Sequence, residues 1–434
     1  MHIWTLKNYW PVFFKMKAPW NIITLICLLL LCFGCSHGAN RKEGMKEIPG
    51  IPGKITERVP CTSNPDFSYA LYLPAAFDKN KFWPLLLAFD PGGSGMRPVE
   101  RYKLVAEHYG FILMGSNDSR NGQTLAQTEL ILQALFADIH NRFPVDTSRL
   151  FLTGFSGGSR IASLTAMFYG GVRGVIGCGA GLPVNRPPLF KFDYFGLVGT
   201  SDFNLTEMTK LPVLFDQYHI RHYIGSFSGG HDWPPADCME TAFLWMLLNR
   251  LRDSNSPIDD TLVQHLDQKL HSLSEYPTYL QTHPEILQKE GKEQQILSNA
   301  FMGKDITWWE KKINAYQFIS TGKPSKDDSL MYLRLLSWIG QTCYSNLLTA
   351  MVQDDRTIAA RVIPVYELAE PNNPEPNFIA SILAVRNDDP DLALKELKIA
   401  IKKGFNDRPR VMRQKEYDNM RENLEFFDLV QQMQ

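Results

Sequence analysis

Residues 150–163 read LFLTGFSGGSRIAS, and this stretch constrains the chain more than any other. A continuous apolar run of the kind expected of a strand buried on both faces leads into Gly154-Phe155-Ser156-Gly157-Gly158. A helix-compatible segment, SRIASLTAMF, follows directly. A strand that turns into a helix within so few residues leaves no room for bulky side chains two places before and two after the serine. The same turn lifts the serine hydroxyl above the sheet edge, at a helix N-terminus, where developing negative charge is favoured. The G-x-S-x-G pattern is weak when alone, and its strand-to-helix context makes Ser156 the candidate nucleophile.

The tetrapeptide FSGG recurs at 227–230, in GSFSGGHDWPP. This copy lacks the leading glycine and runs into Pro234-Pro235, which excludes a helix interior. It reads as a loop after a strand, and its chemistry-bearing residue is His231. A serine hydroxyl needs a base within hydrogen-bond reach, and an imidazole serves by taking the proton and returning it to the leaving group. A carboxylate should hold that imidazole in the right tautomer. Asp202 follows the strand-like YFGLVGT (194–200) at the carboxyl end, where parallel sheets place functional groups. Asp193, which precedes that strand, and Asp232, beside the base, are weaker alternatives.

Residues 66–250 alternate short apolar runs with helical stretches, the signature of α/β architecture. Strands are expected at 69–74, 83–90, 110–115, 148–154, 174–180, 194–200 and 221–227, and helices at 98–108, 125–143, 157–169 and 236–252. Short connections make the sheet mostly parallel. The chain order Ser156, Asp202, His231 is the one this architecture uses. On LTGFSGGSRIA, GTSDF and GGHDWP, the region resembles an α/β-hydrolase, close to the esterase and polyhydroxybutyrate-depolymerase-like branch. The resemblance implies a serine esterase working through an acyl-enzyme, without metal or other cofactor. The substrate would be a small-molecule or polysaccharide-linked ester. An oxyanion hole requires two backbone donors. Gly157 supplies one. The other is expected from the loop Asp90-Pro91-Gly92-Gly93, where proline has no N–H, which leaves Gly92, with Gly93 as the alternative. A peptidase of the same fold, and a non-catalytic envelope scaffold, remain open as other readings.

After DSNSP (253–257) the sequence turns helix-rich without strand-like runs. VYELAEPNNPEPNF (365–378) and ELKIAIKKGF (396–405) suggest the 34-residue tetratricopeptide period. Ala393, Leu397 and Ala400 would hold the small, large and small positions of that repeat's second helix. The expected division is a leader over 1–35, a hydrolase domain over 36–252 and an all-α, repeat-like domain over 258–434, with a protein partner conceivable for the last.

The leader reading rests on MKAPWNIITLICLLLLCFGC. An apolar run from Ile22 to Phe33 is too short to span a bilayer but suits a secretory signal. Gly34-Cys35 is similar to a bacterial lipobox, with Cys32 in place of the usual leucine, so Cys35 is the expected lipidation site. That implies a lipid-anchored protein of the bacterial cell envelope, with Met16 as a candidate start. Removing Cys27, Cys32 and Cys35 leaves four thiols and no CxxC pair, hence no expectation of structural zinc. Basic and acidic residues nearly cancel, 45 against 46, so nothing electrostatic points to nucleic acid.

Overall fold

In the computed structural model, described for residues 47–322 and 325–433, the strands assemble into one eight-stranded sheet. They are β1 (Ile55–Pro60), β2 (Ser68–Tyr72), β3 (Trp83–Phe89), β4 (Ile112–Ser116), β5 (Val145–Phe155), β6 (Gly174–Cys178), β7 (Asp193–Gly199) and β8 (His222–Phe227). The spatial order is β1-β2-β4-β3-β5-β6-β7-β8. Only β1 and β2 run antiparallel to their neighbours, and β4, β3, β5, β6, β7 and β8 form a parallel block. This is an α/β-hydrolase fold followed by an all-α region. The leader and Cys35 lie outside the described residues.

Burial explains the order. The central strands β3 and β6 are apolar along nearly their whole length and are covered on both faces. The covering helices are α1 (Met96–Tyr109), α2 (Leu125–Arg142), α3 (Gly157–Phe168), α4 (Leu205–Met208), α5 (Leu211–Gln217) and α6 (Ala236–Asp253). α2 starts at a capping box, in which the Thr124 hydroxyl accepts from the Gln127 N–H while the Gln127 side chain accepts from the Thr124 N–H. Three elements escape the sequence pattern. β1 is an edge strand whose ITERVP alternates weakly, and α4 and α5 are too short for helical periodicity to register.

Among the described residues ten α-helices follow, with a 3-10 turn at Lys415–Met420 before the last: α7 (Asp260–Ser272), α8 (Tyr276–Thr282), α9 (Pro284–Gly303), α10 (Ile306–Thr321), α11 (Lys326–Gln353), α12 (Arg356–Ala369), α13 (Glu375–Arg386), α14 (Pro390–Lys402), α15 (Arg408–Arg413) and α16 (Leu424–Gln431). α13 and α14 pack together, with Ala393, Leu397 and Ala400 completely buried between them and their neighbours. The described residues from Ile48 onward form one compact unit, and specific bonds join this helical region to the sheet. Tyr276 and Leu280 of α8 enter the core beneath the sheet. Ser274 pairs with Ser226 of β8 through both backbone amides.

The most consequential joint is a fully buried ion pair. Arg334 of α11 and Glu290 of α9 meet at 2.7 Å, with side chains 0% and 1% exposed. A further Arg334 N–H donates to the carbonyl of Thr200, the residue after β7 (3.1 Å). Removing one member of such a pair strands the other charge in a dry interior. Arg334→Ala is therefore expected to lower unfolding stability by about 3–5 kcal/mol in urea titration. A replacement of both partners by apolar residues should recover much of that loss. A change below about 1 kcal/mol in the single variant would mean that the pair is hydrated and not a joint.

Candidate active site

The parallel strands end on one rim, and the three residues expected to cooperate lie on turns leaving β5, β7 and β8. Ser156 occupies the elbow between β5 and α3 with φ 52° and ψ −117°, a strained conformation for a residue with a side chain. Its neighbours have to be glycine. A Cβ on Gly154 would stand 2.2 Å from the Gly158 backbone, and one on Gly158 would stand 1.9 Å from the Phe89 carbonyl. The crowding inferred from G-x-S-x-G is thus physical, on both sides of the serine.

His231 bridges the other two. Its Nε2 lies 2.9 Å from Ser156 Oγ, and its Nδ1 lies 2.9 Å from both carboxylate oxygens of Asp202. With the proton on Nδ1 facing the carboxylate, Nε2 offers its lone pair to the serine hydroxyl. Asp202 is fully buried and also accepts the Asn204 N–H at 2.8 Å. The imidazole is packed between the Phe155 and Phe203 rings, at centroid distances of 4.5 and 4.2 Å, which restricts its rotation. The second FSGG supplies the arm that carries it. Gly229 accepts from both the N–H and the hydroxyl of Ser201, next to Asp202. A Cβ on Gly199 would meet the Gly230 carbonyl at 2.3 Å, so the arm lies directly on the acid turn.

The alternatives to Asp202 have other partners. Asp193 lies 3.4 Å from Arg250, and Asp232 forms an exposed pair with Arg97 at 3.0 Å. Arg160 of α3 pairs with both oxygens of Glu207 at 2.9 and 2.7 Å, a structural role. Burial pushes the Glu207 carboxyl up, but Arg160 and the Gly181 N–H outweigh it and hold it below its ordinary range.

The expectation for Gly92 needs correction. Its N–H donates to Asp90 Oδ1 at 2.8 Å, and that of Gly93 donates to the Asp90 carbonyl at 3.1 Å. Both are consumed inside their own turn. Asp90, directly after β3, is buried, and its second oxygen accepts the indole N–H of Trp233 at 2.8 Å. Trp233 is 1% exposed and lies edge-on to Tyr102, so it anchors the histidine arm and does not line an open pocket. Tyr102 and Arg101 of α1 secure the same arm by donating to the carbonyls of Pro234 and Trp233. Asp90-Pro91, unusual as sequence, is thus a strut between the β3 turn and the base.

Two features went unread in the sequence. The Asn121 carboxamide sits against Gly157, whose Cβ position would fall 1.8 Å from Asn121 Oδ1 and 3.3 Å from Nδ2. An Asn-Gly step reads as a turn, and nothing local announces that it abuts the elbow. The other is the cavity at the triad. It measures about 260 Å³ and joins His231 and Phe203 to Ser337, Gln341, Tyr366, Glu370 and Asn373. Most of its wall comes from α11, α12 and the turn after α12. Among the described residues no cluster of histidine, cysteine or acidic side chains is arranged to hold a metal, and Cys61, Cys178, Cys238 and Cys343 are separate buried thiols.

No family model matches the sequence, and no curated protein matches it. Among solved structures, the chain is similar to S-formylglutathione hydrolase from Staphylococcus aureus at 13% identity, covering 42% of this chain and 92% of that one, with a TM-score of 0.35. It is similar to a ferulic acid esterase at 15% identity, covering 47% and 99%, with a TM-score of 0.37. It is also similar to esterase B from Lactobacillus rhamnosis, solved with a tributyrin phosphonate, at 18% identity, covering 51% and 90%, with a TM-score of 0.37.

Proposed function

We propose that this protein is a serine hydrolase that cleaves carboxylic esters through an acyl-enzyme on Ser156. One observation carries the reading: the His231 ring spans Ser156 Oγ and the Asp202 carboxylate at 2.9 Å on each side. Ser156 Oγ attacks the ester carbonyl carbon while its proton passes to Nε2. The tetrahedral intermediate collapses, and the imidazolium returns that proton to the departing alcohol. Water then attacks the acyl-serine by the same relay and frees the acid. Asp202 stabilises the imidazolium and fixes its tautomer.

The oxyanion is held at the N-terminus of α3, with the Gly157 N–H as first donor and the amide N–H of the Asn121 carboxamide, which lies against Gly157, as second. Side-chain amides serve this purpose in other hydrolases, and losing one costs about 10²–10³ in kcat. Asn121→Ala is expected to lower kcat by about a hundred-fold with little change in KM, as befits an interaction made in the transition state. Loss of KM alone would place Asn121 in substrate binding instead.

The reading as a whole is tested by turnover of nitrophenyl esters. A burst of nitrophenolate equal to the enzyme present, followed by slower turnover, reports the acyl-enzyme. Folded protein that hydrolyses neither esters nor amides would leave the scaffold reading standing.

A further inference from the structure

The cavity beside His231 has a chemistry of its own. Glu370, at the end of α12, faces it from a largely buried position, its carboxylate resting on Gly340 of α11 so closely that a Cβ there would stand 2.3 Å from Oε1. The Asn373 amide donates to Oε2 at 2.5 Å. No lysine or arginine among the described residues lies within ion-pair distance of it, although the chain pairs most of its other buried carboxylates with arginine. Burial pushes the Glu370 carboxyl above its ordinary range, and only the Asn373 amide and His231 oppose that. The rest of the lining is polar and aromatic: Ser337, Gln341 and Asn373, with Tyr366 and Phe203.

We infer that this cavity binds a protonated amine on the substrate, with Glu370 as its counter-charge, so that the preferred esters carry an ammonium group a few bonds from the scissile carbonyl. The inference rests on the hydrolase reading above and extends it to substrate class. A largely buried carboxylate that has one neutral amide donor and no cationic partner is costly, and a cation removes that cost on binding. A neutral polyol would leave the charge uncompensated, and an anionic substrate would meet it head-on. The aromatic faces add cation–π attraction. The helical region is then part of the enzyme's specificity, since α11 and α12 supply the recognising groups.

The test compares matched nitrophenyl esters, alaninate against propionate, and matched propionates of ethanolamine against ethylene glycol, in wild-type protein. In at least one pair, kcat/KM for the amine-bearing member should exceed its neutral partner by about ten- to a hundred-fold, the range of one charge-assisted contact. In Glu370→Gln that ratio should collapse toward one, through KM for the amine substrate. Should that variant fold poorly, the wild type gives a second readout: propylammonium should inhibit neutral-ester hydrolysis competitively, and propionamide should not. Equal rates within both pairs, or a ratio that survives in Glu370→Gln, overturn the amine inference. Fluorophosphonate uptake by wild-type protein separates the two readings. Uptake without amine preference sinks only the inference, whereas no uptake sinks the hydrolase reading beneath it.

Discussion

Under the proposed hydrolase reading, Ser156→Ala is expected to lower kcat for ester hydrolysis by about 10⁶-fold, to the level supported by binding and the oxyanion donors alone. The magnitude follows from the covalent route: without Oγ there is no acyl-enzyme, and water would have to attack an ester that the site aligns for a different nucleophile. The fold should be unaffected. Ser156 makes its side-chain hydrogen bond to His231, and its strained backbone is set by Gly154 and Gly158. The measurement is steady-state hydrolysis of a nitrophenyl ester, with thermal unfolding as the control. A variant that retains one per cent of wild-type kcat with intact stability would remove Ser156 from the reaction.

Asp202→Asn has the next largest effect, a fall in kcat of about 10⁴-fold. Asparagine is isosteric and keeps an oxygen for the Asn204 N–H. Its amide nitrogen, however, is a donor, and placed against Nδ1 it requires the lone pair there. The imidazole proton then moves to Nε2 and faces the serine hydroxyl, so the base is presented in the wrong tautomer. Because Asp202 is fully buried, water does not restore the acceptor. The expected signature is a large loss in kcat with KM nearly preserved. If Asp202→Asn were nearly as active as wild type, another acceptor would have to orient His231.

These effects were legible in the sequence because each depends on local pattern. Crowding around Gly154 and Gly158, apolar runs that end in turns, and prolines after His231 are all visible along the chain. What was not legible depends on contacts between distant segments. Nothing near Asp90 tells that its carboxylate would be shared between its own turn and Trp233, 143 residues on. Gly92 was expected because Pro91 has no N–H, and it is not available because Asp90 Oδ1 accepts its N–H. Asn121 reads as a turn residue until α3 is placed beside it. The role of the helical region was the least legible. Its helices follow from composition, but that Glu370 comes to face His231 depends on the buried bond between Arg334, Glu290 and Thr200, which no periodicity encodes. The thin alternation of β1 and the brevity of α4 and α5 hid those elements for the opposite reason, too little pattern.

The relay itself is most directly tested by mapping covalent modification. The folded full-length protein is treated with a fluorophosphonate, digested, and its peptides weighed. The account expects one adduct, on Ser156, formed at neutral pH, slowed by a competing ester substrate, and absent from His231→Ala. An unmodified Ser156 in folded protein, or an adduct that forms equally fast without His231, would contradict it.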